Sequence, residues 1–205
     1  VLLISPRERC IRSIMLEEPD RIPLTLRARP ELYERLKSAL GVEEEGEEGQ
    51  IKVCKILGVD VISSGLRLKG GYLPKDVERK EGPYGPAYTI GYKDRFEIRR
   101  DIWGIESIWA PDHTYTYTFI THPLKTINLD NYAWPEIDES SIDPVRKLRK
   151  RYEDYCLQGS VTHLWEISWQ LTGFAEIIRM MFTKPDEVNC ILEGLHRLRM
   201  EEASI

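Results

Sequence analysis

Within the short run THLWEISW, His163, Trp165, Glu166 and Trp169 combine a proton carrier, a carboxylate and two indoles. At a strand's carboxyl edge such polar groups can face a pocket, where the carboxylate suits acid–base or ligand-orienting work. The indoles supply flat apolar walls, and a carboxylate buried against such walls is harder to ionise. The ordinary alternative is that Thr162, His163 and Glu166 cap their helix while the two tryptophans fill a core. Arg27 and Arg29 present two planar forks suited to carboxylates or phosphates, or to surface pairing with Glu31 and Glu34. Ser63 and Ser64 end the word VDVISSG with two hydroxyls.

The elements that must position these groups follow from pattern. LQGSVTH, 157–163, reads as a short buried strand feeding one helix, WEISWQLTGFAEIIRMMF, whose Leu171, Phe174, Ala175, Ile178 and Met181 recur at helical spacing. In α/β sheets ligands sit at the carboxyl edge of the strands, which is where Thr162, His163 and Glu166 fall. Upstream, Ser5-Pro6-Arg7-Glu8 is a capping box opening a helix with Ile11, Ile14 and Met15 on one face. Leu24 to Leu26 reads as a strand. Pro30 opens a helix with Leu32, Leu36 and Leu40 inside and Gly41 as its stop. VEEEGEEGQ reads as an acidic loop, too irregular for a calcium site. Ile51 to Leu57 reads as a helix ending at Gly58, and VDVISSG as a buried strand.

From about Leu66 to Thr126 the Gly, Pro, Tyr and Thr content and the alternation in TYTYTFI predict an antiparallel excursion. Its glycines have no phosphate-loop spacing. Asp94, Arg95, Asp101 and Trp103 read either as pocket residues or as an ordinary exposed ribbon. HPLKTINLDNYAWPEID is a turn and linker over Trp134, Asp143-Pro144 starts a helix, and Thr183-Lys184-Pro185-Asp186 is a second capping box before a stripe of Val188, Ile191, Leu192 and Leu195. Three parallel strands are thus expected.

Composition sets limits on all this. The 205 residues, 41% hydrophobic and 31% charged, can bury one substantial core. A net charge of −5 argues against nucleic acid or an anionic membrane as partner. RKLRKRYEDY, the most basic run, reads as a solvated helix face. Cys10, Cys54, Cys156 and Cys190 lack metal or disulfide spacing, which fits reduced thiols and a cytoplasmic location. No apolar run approaches the ~20 residues of a membrane span, and VLLIS is too short for a signal peptide. The missing initiator Met and the helical ending EEASI lead to the expectation of a piece of a longer chain.

The words SPRERCIRSIMLEEPDRIP, LGVDVISS, DIWG, HPL with WPEID, and LWEISWQLTGFAEIIRMMFTKPDEV, in this order, resemble the uroporphyrinogen decarboxylase superfamily across nearly the whole chain. The resemblance implies an enzyme and a (β/α)8 TIM-barrel fold, incomplete in this chain, with the antiparallel excursion inserted after the second strand. Residues 1–205 would be the N-terminal portion of one such domain. In the decarboxylases of the superfamily, arginines after the first strand and an aspartate at the second strand's end hold the tetrapyrrole. Here only Arg27 and Arg29 remain, Ser63, Ser64 and Gly65 stand where the aspartate is wanted, and Trp169 replaces a tyrosine before Gly173. These departures favour the other branch, methyl transfer between a cobamide and a thiol or other small acceptor. That reading implies Glu166 and His163 as catalytic residues and Arg27, Arg29, Ser63, Ser64, Trp165 and Trp169 as substrate contacts. It implies zinc held by residues beyond Ile205, a corrinoid as partner-borne co-substrate on a corrinoid protein, a small-molecule substrate and a homodimer. The alternatives are tetrapyrrole decarboxylation, which needs no cofactor, and a non-catalytic binding barrel or inert fragment.

Overall fold

A computed structural model describes residues 4–111 and 117–205, so Thr114 to Thr116 of the ribbon word TYTYTFI lie outside the described residues. The chain divides into two compact units, Val1–Gly65 with Asp143–Ser160, and Leu66–Ile142 with Val161–Ile205. In chain order, α1 (Pro6–Ile14), α2 (Pro30–Leu40), α3 (Gly46–Ile56) and β1 (Val61–Gly65) open the first unit. The second unit follows with β2 (Leu68–Gly70), β3 (Lys80–Gly82), β4 (Gly85–Lys93), β5 (Phe96–Asp101), β6 (Glu106–Trp109), β7 (Tyr117–Thr121) and β8 (Pro135–Ile137). Then α4 (Ile142–Arg151) and β9 (Cys156–Ser160) return to the first, and α5 (Leu164–Thr172), α6 (Phe174–Thr183) and α7 (Pro185–Ser204) complete the second. The architecture is mixed α/β, and among the described residues no sheet closes into a barrel.

In the first unit β1 and β9 pair in parallel from Val61↔Cys156 to Gly65↔Ser160. Ile51, Ile62, Leu148 and Tyr152 form the core here, but β9 is not the buried strand expected, since Gln158, Gly159 and Ser160 are exposed and Cys156 and Leu157 only half-buried. The α1 start is as expected, with the Ser5 hydroxyl accepting from the Glu8 N–H at 3.1 Å. Its inward face is not: Ile11, Ile14 and Met15 are exposed, while Arg9 and Cys10 are buried. Arg9 is drawn inward by two carboxylates, described below.

The strand expected at Leu24 to Leu26 does not form. Pro23 has no N–H to give, and the Leu24 N–H goes to the Asp60 carboxylate at 2.7 Å rather than to a ladder. Two parallel strands are therefore present among the described residues where three were expected. Helix α2 stops at Gly41 in the left-handed region, as read, though Leu32 on its inner stripe is 44% exposed. The acidic loop is shorter than expected because α3 already begins at Gly46, with Glu47 and Glu48 favourably placed in its first turn.

The second unit contains the expected antiparallel excursion, a five-stranded meander in the order β3-β4-β5-β6-β7, and a separate β2–β8 pair. Two-residue turns, Pro83-Tyr84 and Asp94-Arg95, join β3 to β4 and β4 to β5. Ile102, Trp103, Ile105, Ile167, Leu171, Ile177 and Leu195 are almost fully buried and tie the ribbon to the helices.

The single helix expected from Trp165 to Phe182 is broken. Gly173 adopts φ 98°, a conformation open to glycine, and separates α5 from α6. The break resets the helical phase, so Leu171 is buried while Phe174, Ala175, Ile178 and Met181 are exposed, and α6 instead buries Ile177 and Met180. The second capping box also fails. Thr183 donates its hydroxyl backward to the Arg179 carbonyl at 3.0 Å, and Lys184 takes the N-cap position. The α7 stripe of Val188, Ile191 and Leu195 is buried as read, with Leu192 partly so.

Helix α7 packs so closely on the linker that a Cβ at Gly194 would lie 2.5 Å from the Trp134 ring. Gly194→Ala is expected to destabilise this unit by ~1–3 kcal/mol through overpacking, outweighing alanine's better helix propensity. Urea unfolding followed by tryptophan fluorescence checks this; an unchanged or raised midpoint would refute the close packing.

Candidate functional site

Helix α5 starts with His163 at its N-cap position, and its first turn brings Glu166 to the imidazole, with Oε2 3.4 Å from Nδ1. The two side chains are 55% and 42% exposed. Glu166 thus faces His163 at the surface rather than lying buried between the indoles. Trp169 is half-buried, edge-on to Phe119 at 5.5 Å and to Phe174 at 6.0 Å. Trp165 is more open and meets Phe174 at 6.3 Å. The two indoles therefore border one aromatic group. Thr162 is buried and gives its N–H to Glu202 at 2.5 Å.

Tyr84, from the β3–β4 turn, joins this group without having been expected. Its ring meets His163 edge-to-face at 5.1 Å, and its carbonyl accepts from the buried Trp103 indole N–H at 2.9 Å. Burial and the nearby Glu166 charge push its phenol above the usual tyrosine value, while a hydrogen bond from Gln170 pulls it back. Gln170 is buried, its Oε1 has no hydrogen-bond partner, and its backbone carbonyl accepts from His122 Nδ1 at 2.7 Å. The word GPYG announces a turn, but nothing in its spacing ties Tyr84 to a helix so far downstream. A larger groove of ≈ 790 Å³ lies elsewhere in the same unit, between residues 124–130 and α6 with α7. None of the expected site residues lines it.

The remaining expected residues belong to the first unit. Ser63 pairs with Gln158 and Ser64 with Gly159 near the carboxyl ends of β1 and β9, and the Ser160 hydroxyl would lie 2.9 Å from a Cβ at Gly65. Ser63 is exposed and Ser64 half-buried. Arg27 and Arg29 are exposed in the segment before α2, Arg29 at its N-cap position. They lie outside the sheet, since no strand forms before them.

The opposite end of β1 holds a buried charge network that sequence reasoning did not single out. Arg9 grips Asp20 with Nε and Nη2 at 2.6 and 2.7 Å and reaches Asp60 with Nη1 at 2.5 Å. Arg21 donates to both Asp60 oxygens at 2.7 and 2.9 Å. The Arg9 fork holds the Asp20 carboxyl down at about 2. Asp60 is fully buried immediately before β1, so its partners fix the strand's amino end. The charged letters of PRER, PDR and GVD are thus structural.

A second buried acid lies under the ribbon. Asp101 is 1% exposed, and its Oδ1 accepts from the Trp103 and Ile105 N–H groups at 2.9 and 3.0 Å. Its Oδ2 has no partner, and burial pushes the carboxyl up to about 7. The four cysteines are free; Cys10 lies beside Cys156, and burial raises its thiol to about 11.

Among the described residues no three His, Cys, Asp or Glu side chains converge to hold a metal ion. The zinc implied by the resemblance was expected from residues beyond Ile205, and the described residues offer it no ligand set. No helix among the described residues is long and apolar enough to cross a membrane. No protein-family model, curated protein or solved structure matches the chain.

Proposed function

We propose that the chain is part of an enzyme of the uroporphyrinogen decarboxylase superfamily, on its methyltransferase branch, which moves a methyl group between a cobamide and a thiol or another small acceptor. The observation that carries this reading is the His163–Glu166 pair on the first turn of the helix that follows β9. A thiol acceptor must lose its proton as its sulfur takes the methyl group. An imidazole standing beside a carboxylate can receive that proton as a general base. The corrinoid, carried by a partner protein, supplies the methyl group. Trp165 and Trp169, on the same helix as Glu166, would wall the apolar part of the acceptor. Ser63, Ser64 and Gly65, standing where decarboxylation calls for an aspartate, weigh against tetrapyrrole chemistry.

Glu166→Gln in the product of the parent gene is expected to lower kcat/KM for methyl transfer to a thiol about 10²-fold, the usual scale of positioned acid–base help. The deficit should shrink at high pH, where the thiol ionises without assistance. Wild-type rates in the variant would remove Glu166 from the chemistry.

A further inference from the structure

We propose that a cavity of ≈ 420 Å³ in the second unit binds a small hydroxylated anion, with Lys125 taking its negative group and His122 accepting from its hydroxyl. This site is independent of the reaction proposed above, and none of the residues assigned to that reaction lines the cavity.

The word HPLK builds the polar part of the lining. Pro123 opens a single 3₁₀ turn, Pro123–Lys125, closed by the Lys125 N–H on the His122 carbonyl at 3.1 Å. Residues three apart on such a turn lie one above the other, so His122 and Lys125 fall on the same side. Gly173 shows how near they come, since a Cβ there would lie 3.1 Å from Lys125 Nζ and 3.4 Å from His122 Cδ2. Thr126 secures the turn by donating its hydroxyl to the Pro123 carbonyl at 3.3 Å.

The helix break at Gly173 sets the chemistry of His122. Because α5 ends at Thr172, the Gln170 carbonyl lies in its last turn with no helical N–H to serve it. His122 Nδ1 reaches that carbonyl at 2.7 Å, and a carbonyl only accepts, so Nδ1 carries the proton. In the neutral ring Nε2 is then a bare acceptor, and among the described residues it has no hydrogen-bond partner.

Charge decides the class of ligand. Arg100 gives Nε, at 3.0 Å, and Nη2 to Glu106 Oε1, so these two lining charges cancel. Lys125 is exposed and has neither a hydrogen bond nor an ion pair among the described residues. Glu176, in the first turn of α6, is held by Arg179 and does not neutralise it. The lining therefore carries one net positive charge beside a bare imidazole nitrogen. Tyr72 adds an apolar wall, lying so close on Gly104 that a Cβ there would come 2.9 Å from its ring. The volume is that of a small-molecule pocket. A hydroxy acid or a hydroxylated phosphate ester, with its anionic group near a hydroxyl, matches this arrangement.

The intact chain is titrated with glycerol 3-phosphate, with lactate and with uncharged glycerol, and binding is read by calorimetry. Saturable binding of at least one anion, and none of glycerol, is the expected result; which anion binds separates phosphate from carboxylate. Lys125→Ala is expected to weaken that binding about tenfold or more, the worth of one charge-assisted contact. Lys125 is exposed, so this variant is expected to keep the fold. Nitrogen NMR of the imidazoles, with His122 assigned through His122→Gln, needs no ligand and is expected to find the proton of the neutral ring on Nδ1. No saturable binding of either anion, binding unchanged in Lys125→Ala, or a neutral His122 protonated on Nε2 would each overturn the proposal.

Discussion

Replacing Arg9 with alanine is expected to cost the first unit ~3–5 kcal/mol, the usual penalty for breaking a buried ion pair from one side. The reason is the group left behind: Asp60 is fully buried and would lose its shortest contact, while Asp20 would lose both arms of the fork. Arg21 and the Leu24 N–H would still serve Asp60, so the unit should be weakened rather than abolished. Arg9→Lys is expected to recover only part of the loss, since one ammonium cannot replace a fork that binds three carboxylate oxygens in fixed directions. All five tryptophans, Trp103, Trp109, Trp134, Trp165 and Trp169, belong to the second unit. Tyrosine absorbance and hydrogen exchange in β1 and β9 are therefore the readouts for Arg9. Unchanged exchange protection in Arg9→Ala would refute the role assigned to the network.

The second unit should respond to pH in the opposite sense from the first. Asp101 titrates at about 7 in the fold against an ordinary 3.8, so folding favours its protonated form. Its contribution is fully present below about pH 4 and is lost as pH rises through 7, amounting to about 4 kcal/mol over that window. The Asp20 carboxyl is held down at about 2 and Asp60 is also lowered. Their contribution is present above about pH 4 and is lost as pH falls toward 2. Tryptophan-detected urea unfolding between pH 4 and 8 is thus expected to show declining stability in the wild type. Asp101→Asn should flatten that slope, because an amide can still accept from Trp103 and Ile105 and offers N–H where the protonated acid offers O–H. A wild-type profile already flat from pH 4 to 8 would contradict the assignment.

Local signals in this chain read well where a few neighbouring residues decide the outcome. Ser5, Pro6 and Glu8 start α1, Gly41 stops α2, VISSG is a strand, and the Gly- and Tyr-rich stretch is an antiparallel ribbon. What escaped reading depends on distant partners. Leu24 looks like a strand residue until Asp60 claims its N–H, and Ile11 and Ile14 look like an inner stripe until two aspartates draw Arg9 inward. Gly173 inside an apolar helical pattern gives no sign that it will take φ 98° and turn Phe174 and Ile178 outward. Of the expected site, His163 reads as a strand residue, so its one-turn contact with Glu166 emerges only once it takes the N-cap position of α5. The contact of Tyr84 with His163 is equally hidden, because it is made by a hairpin and a helix remote from each other in sequence. Asp101 reads as one more charge on a ribbon, and only its burial under Trp103 and Ile105 makes it an acid that titrates near neutrality.

Methyl transfer from methylcobalamin to a thiol, followed with zinc measured on the same sample, tests the proposed reaction most directly. Thiol-dependent loss of the cobalt-bound methyl group together with near-stoichiometric zinc is the expected result. Carbon dioxide release from uroporphyrinogen, with no methyl transfer and no zinc, would contradict it and move the protein to the decarboxylase branch.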